Sequence, residues 1–314
     1  MNYDAIMVEQ SNDWATGVLA GAVTPFDASG AVDAGALHGH VEWLAQRDVA
    51  AIVVAADTGE GQQLSAPERT AVLKTAVRAA DAIGVPIFTG LVATHSCEAA
   101  EAAAEAEACG ADGLQVFPPP AFLGPGLDPG MAAGYYEAIA GATELPLLVY
   151  RPPSALGYGF DDEVVARILS IDQVRGFKES SFDEATYVAS LAIARRFPHV
   201  KFLSGADPFV VRSLELGADG LALALGAIAP RQYAELLSTF RRDGAAAAIS
   251  EGHTLDAIPA TIFAPPFRDF RARLKEALLQ MGHLPSAAVR APLQPVPESD
   301  RVAIRRMVEE CELS

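Results

Sequence analysis

Eight short apolar runs, each followed by a stretch of helical character, constrain this 314-residue chain more than any other feature. They fall at residues 17–23, 50–55, 85–90, 113–117, 145–150, 174–178, 201–204 and 220–224. Strands buried on both faces read as unbroken apolar runs, and helical crossovers let them pair in parallel. The pattern therefore predicts a (β/α)8 barrel, with a doubly wound open sheet as the alternative. A repeated tetrapeptide favours the barrel. Gly110-Ala111-Asp112-Gly113 enters the fourth run and Gly217-Ala218-Asp219-Gly220 enters the eighth, four units later. Both read as structural turns joining a helix end to a strand, where glycine can take the left-handed conformation.

Three segments follow: an N-terminal tail (1–16), the barrel core (17–230), and the last barrel helix with a C-terminal helical region (231–314). That last region reads as helices over 231–241, 245–258, 268–281 and 300–311, more than closing a barrel needs. A formal charge of −17 and a pI near 4.7 argue against nucleic acid and against an anionic membrane surface as partners. Cys97, Cys109 and Cys311 show no CxxC spacing and suggest neither a disulfide framework nor a zinc site. Residues 1–14 do not read as a signal peptide, and no run approaches the roughly 18 apolar residues of a membrane helix, so the cytoplasm is expected. His38 and His40 point to different faces of one helix, and His95, His199, His253 and His283 are dispersed, so no metal is expected. Nucleotide-binding glycine motifs are missing, and no cofactor is expected.

In a barrel, catalytic groups collect at the carboxyl ends of the strands. Lys178 ends the sixth run, Tyr150 ends the fifth, and Asp57, Thr58, Ser204 and Gly205 follow the second and seventh. A lysine facing the interior loses water, its pKa falls, and the free amine can attack a carbonyl. A neighbouring phenol supplies the proton donor and acceptor that carbinolamine chemistry needs. The bland alternative puts Lys178 past the strand end, in water beside Glu179. In Thr58-Gly59-Glu60-Gly61 the backbone N–H groups and a hydroxyl could hold a carboxylate, although a plain β-to-α turn explains the glycines almost as well. Gly205 leaves space for a ligand or merely forms a turn.

At these residues the chain resembles the dihydrodipicolinate synthase/N-acetylneuraminate lyase family of Schiff-base-forming enzymes. The resemblance runs from about Gly17 to Leu313. It rests on Ala22-Val23-Thr24-Pro25-Phe26, Thr58-Gly59-Glu60, Val149-Tyr150, Gly176-Phe177-Lys178-Glu179 and Leu203-Ser204-Gly205-Ala206-Asp207. It continues through Met281-Gly282 to Val289-Arg290-Ala291-Pro292-Leu293. It implies that Lys178 forms an imine with a 2-oxo acid, that Tyr150 shuttles protons, and that Thr58 and the amides around Gly59 hold the substrate carboxylate. It also implies that the backbone of Ala222 faces the bound acid and that the chain forms a homotetramer, a dimer of dimers.

The chain departs from members that make dihydrodipicolinate at three places. Their relay threonine is Asp57, their second relay tyrosine falls near Pro119-Pro120, and their arginine for the aldehyde's carboxylate matches Ala155. Arg151 is the substitute on offer, though it leaves the strand at a different angle. These losses point to a lyase of a 2-oxo acid, by aldol cleavage or condensation or by dehydration of a 2-keto-3-deoxy sugar acid. Dihydrodipicolinate synthesis through a rebuilt relay and a non-catalytic metabolite-binding barrel are the rivals. Asp57 should disfavour a second substrate carboxylate, since like charges about 4 Å apart in a partly buried site repel by roughly 4 kcal/mol, unless Arg151 compensates.

Overall fold

The computed structural model describes residues 12–252 and 255–313. Most of the expected tail, and His253 among the histidines, lie outside the described residues. Eight parallel strands close a barrel in sequence order: β1 (Val18–Gly21), β2 (Ala51–Val54), β3 (Ile87–Leu91), β4 (Gly113–Val116), β5 (Leu147–Arg151), β6 (Val174–Glu179), β7 (Lys201–Ser204) and β8 (Gly220–Leu223). The closing pair is β1 with β8, which rules out the open-sheet alternative. The helices α1 (Ala34–Ala45), α2 (Ala66–Ala80), α3 (Ser96–Ala108), α4 (Pro129–Ala140), α5 (Asp162–Leu169), α6 (Glu184–Ala194), α7 (Val210–Leu216) and α8 (Pro230–Asp243) alternate with them.

Local chemistry sets these boundaries. Ser65 and Glu68 form the reciprocal capping box at the start of α2, and Asp33, Asp128, Asp161 and Asp183 cap α1, α4, α5 and α6 through their side chains. The repeated tetrapeptides are the same device used twice. Gly110 and Gly217 take φ of 87° and 114°, and Asp112 and Asp219 each accept a hydrogen bond at 2.8 Å from a backbone N–H of the preceding strand, Ile87 and Phe202. Each carboxylate thus ties a helix-to-strand turn to the lower edge of the sheet.

Side chains alternate along each strand, so one set fills the barrel and the other meets the helices. The inner set includes Leu19, Val53, Phe88, Leu148, Leu203 and Ala222, with Trp14 packed beneath at 4.6 Å from the Phe88 ring and Tyr150 in the same cluster. Gly176 makes room for this plug, since a Cβ there would sit 2.9 Å from Trp14 Cη2.

Beyond α8 the chain forms α9 (Ala245–Gly252), α10 (Ala257–Ile262), α11 (Phe270–Gln280) and α12 (Glu298–Glu310). The single helix expected over 245–258 is replaced by α9 and α10, and α10 runs on to Ile262 with Pro259 in its first turn, where the missing N–H costs nothing. This region is joined to the loop after β2 and to the first turn of α2 by three cations. Arg271 pairs with Asp57, Lys275 with Glu60, and Arg290 with Glu68 through two bonds of 2.8 Å. Among the described residues no helix is long and apolar enough to cross a membrane.

Candidate active site

Tyr150 and Lys178 are direct cross-strand partners in the β5–β6 register. Both point inward, and the Lys178 ammonium lies 5.0 Å from the centre of the Tyr150 ring. Phe117, just past β4, packs edge-on against that ring at 4.9 Å. Lys178 is half-buried, deep in the barrel yet still accessible. Gly205 is what lets it fit: a Cβ there would come 2.9 Å from Lys178 Cε and 1.9 Å from Ser180 Oγ. The space that Gly205 leaves is taken by the protein's own Lys178 and Ser180 side chains.

Desolvation lowers the Lys178 pKa, while the carboxylates of Asp207 and Asp57 pull it back up. Burial, then Asp57, holds the Tyr150 phenol well above its ordinary range, so it is a neutral O–H at neutral pH. Asp207 follows β7, is buried, and accepts a hydrogen bond from the Leu225 N–H at 2.9 Å. Its burial, only partly offset by that bond and by Lys178, raises its pKa to about 6.

The loop after β2 is held under strain. Ala55 and Glu60 adopt left-handed backbone angles, φ 50° and 55°, which cost non-glycine residues about 1–2 kcal/mol each. Such angles persist only where surroundings over-determine them. Here the Glu60 carboxylate is fully buried, takes the Lys275 ammonium, and accepts the Arg290 backbone N–H at 2.9 Å. The Gly59 carbonyl accepts from Thr24 Oγ1 at 2.7 Å, and a Cβ on Gly61 would collide with the Ala55 oxygen at 1.7 Å. Among the described residues the N–H groups of Thr58 and Gly59 reach no acceptor. Thr58 is buried, and its hydroxyl lies over Gly21, whose Cβ, if it had one, would be 2.8 Å away. Ala222 lies lower, on β8, within the inner cluster.

Asp57 and Tyr150 border a cavity of about 420 Å³. Asp57, Tyr150, Tyr158 and Arg271 bring polar groups to it, and Phe117, Pro118, Leu123, Pro152, Leu156 and Phe267 give it an apolar wall. Sequence reading missed Arg271, Tyr158 and the position of Asp207. Asp207 stood in a matched motif, and Tyr158 followed the fifth run, but nothing in the sequence marked Arg271. It comes from α11 and donates from Nε to the Asp57 carbonyl at 2.8 Å and from Nη2 to the Asp57 carboxylate.

Arg151 is not brought to this site. One residue beyond Tyr150, it projects to the outer face of the sheet, where it donates to Ser190 Oγ at 2.8 Å and lies 4.0 Å from Glu179. The expected compensation of Asp57 by Arg151 is therefore corrected: Arg271 neutralises Asp57, and Arg151 faces the buried Glu179. Among the described residues no group of three or more His, Cys, Asp or Glu side chains could hold a metal ion.

A parallel eight-stranded barrel whose mouth presents a half-buried lysine beside a neutral phenol defines a class of barrel enzymes. The particular family follows from comparison: the Dihydrodipicolinate synthetase family matches residues 15–311, and the chain belongs to it, a family of lyases. A 4-hydroxy-tetrahydrodipicolinate synthase of Synechococcus sp. WH7803 is 31% identical, the match covering 91% of this chain and 92% of that one. YagE of Escherichia coli K12, named as a candidate 2-dehydro-3-deoxy-D-gluconate aldolase, is 27% identical over 95% of this chain and 97% of its own. The crystal structure of YagE with pyruvate superposes with a TM-score of 0.87 at 26% identity, covering 95% of this chain and 99% of that one. A chloride-inhibited dihydrodipicolinate synthase from Acinetobacter baumannii, complexed with pyruvate, gives 0.84 at 27% identity over 96% and 100%.

Proposed function

We propose that this chain is a Schiff-base lyase of a 2-oxo acid, working through an imine on Lys178. The observation that carries the reading is Lys178 itself, an accessible amine with a lowered pKa beside the Tyr150 ring, with Gly205 giving it room. The neutral amine attacks C2 of the oxo acid, and a C–N bond forms as the carbonyl electrons move to oxygen. The oxygen takes one proton from the nitrogen and one from Tyr150, and water leaves as the protonated imine forms, with Tyr150 left as the phenolate. The unengaged N–H groups of Thr58 and Gly59, with the Thr58 hydroxyl, hold the acid's own carboxylate. With the iminium as electron sink, the C3–C4 bond of an aldol can break, the Tyr150 phenolate left by the preceding step accepting the C4 hydroxyl proton, directly or by way of Asp57. Loss of a C4 hydroxyl as water, after removal of a C3 proton, is the dehydratase variant of the same chemistry.

Pyruvate complexes among the structural relatives support a 2-oxo acid as the ligand. The test is borohydride reduction in the presence of pyruvate, followed by peptide mass analysis. The expected result is a stable adduct on the peptide containing Lys178. No adduct at saturating pyruvate would sink this reading in favour of a non-catalytic binding barrel. Turnover of aspartate semialdehyde with pyruvate at the rate of an authentic synthase would make dihydrodipicolinate synthesis the better reading, with Asp57 and Arg271 supplying its relay and its carboxylate contact.

A further inference from the structure

We infer that Arg271 is the binding residue for a second, distal anionic group on the substrate, so that the cavity selects 2-oxo acids carrying a carboxylate at their far end. This rests on the proposed function for the near end and extends it to the far one.

The argument starts from the donors of a guanidinium, five N–H groups in a planar fork. Asp57 takes the Nε–H through its carbonyl and one Nη2–H through its carboxylate. The remaining Nη2–H and both Nη1–H groups reach no acceptor among the described residues. The side chain is only 15% exposed, and it lines the cavity. These donors open onto the cavity, where a ligand oxygen can take the place of water on a guanidinium already held in position by Asp57. The fork also suits a carboxylate, which it can meet through two parallel bonds.

Charge does not oppose this geometry. The charged side chains lining the cavity are Asp57, Arg268 and Arg271. Arg268 lies at the rim, 76% exposed and 3.7 Å from Asp269, so it adds little. Asp57 is already neutralised by Arg271, and its pairing fixes the guanidinium in place. The repulsion expected from Asp57 alone is thereby removed. Leu123, Leu156 and Phe267 face the same space although they are 53%, 53% and 37% exposed. Such a wall suits the methylenes between the two ends of an oxo diacid, while Gln62, Gln63 and Tyr158 bring polar groups to the rest of the cavity.

Calorimetric titration of the full-length protein with 2-oxoglutarate, 2-oxoadipate and 2-oxopimelate, each against its methyl-ended counterpart of equal chain length, tests this. At one length at least, the diacid should bind at least tenfold tighter. Arg271→Met should erase that advantage, while borohydride trapping with pyruvate continues. Should Arg271→Met fail to fold, Arg271→Lys keeps a charge beside Asp57 but loses the fork, and a clear reduction of the advantage is expected. Asp57→Asn frees more of the guanidinium and should preserve or increase the advantage. Equal affinity for diacid and methyl-ended acid at every length would overturn the inference, as would an advantage that survives Arg271→Met. Failure of the Lys178 reading shows separately, as absence of an adduct with pyruvate, and leaves the calorimetric result standing.

Discussion

Two lysines sit in this molecule with little water around them, and their surroundings differ in one respect. Lys275, on α11, is sealed. It bonds to the buried Glu60 carboxylate and to the Ala288 carbonyl at 2.9 Å, with the Phe26 ring 4.1 Å below, and its pKa falls to about 8 because burial outweighs Glu60. Lys178, on β6, has no hydrogen-bond acceptor among the described residues and remains accessible. Its carboxylates, Asp207 and Asp57, act on it through space. A buried cation with a bonded counter-ion is an anchor. One with distant counter-ions and an open approach can become a neutral nucleophile.

Exchanging the two lysines for apolar residues should break them apart in opposite ways. Lys178→Met is expected to abolish trapping and turnover while leaving the denaturation midpoint unchanged or raised, because a desolvated cation is removed. Lys275→Met leaves Glu60 buried without its partner, and removing one member of a buried pair costs about 3–5 kcal/mol. Urea denaturation followed by circular dichroism reads both. A Lys178→Met variant as destabilised as Lys275→Met would make Lys178 a structural lysine as well. At the candidate site, Tyr150→Phe keeps the ring packed on Phe117 and removes the O–H. Imine formation should slow by about 10²–10⁴-fold, the range for positioned acid–base groups, while pyruvate affinity changes little. Stopped-flow trapping separates the two, and equal losses would reduce Tyr150 to a wall of the pocket.

The placement of Lys178 beside Tyr150 was legible in the sequence and that of Lys275 beside Glu60 was not, for a physical reason. Lys178 and Tyr150 end adjacent strands, so barrel order and alternation alone bring them together. Lys275 and Arg271 lie 215 and 214 residues from the acids they pair with, and only helix packing after α8 decides which cations arrive over the mouth. Arg151 is a different case. Alternation already implied that if Tyr150 faces inward its neighbour faces out, and Arg151 beside Glu179 is that rule observed. Glycine gave mixed signals: turn and close approach both call for it, and only packing shows that Gly205 accommodates Lys178 whereas Gly110 turns the chain.

The finest test of the comparison adjusts the distant counter-ion. Asp207 raises the pKa of Lys178 through its charge, so Asp207→Asn should lower it further and move the pH profile of borohydride trapping to lower pH. The amide oxygen can still accept from Leu225, so the loop after β7 stays in place. Stability carries an independent sign. The Asp207 pKa rises from 3.8 to about 6 on folding, so the native state binds that proton more tightly than the unfolded chain does. The favourable contribution is complete below pH 3.8 and is lost as pH rises through 6. Relative to the parent, the asparagine variant should therefore gain stability between about pH 4 and 7, by up to about 3 kcal/mol at roughly 1.4 kcal/mol per pKa unit. A trapping profile that stays where it was, alongside that stability gain, would mean that Asp207 serves the fold and that Lys178 is tuned by burial and Asp57 alone.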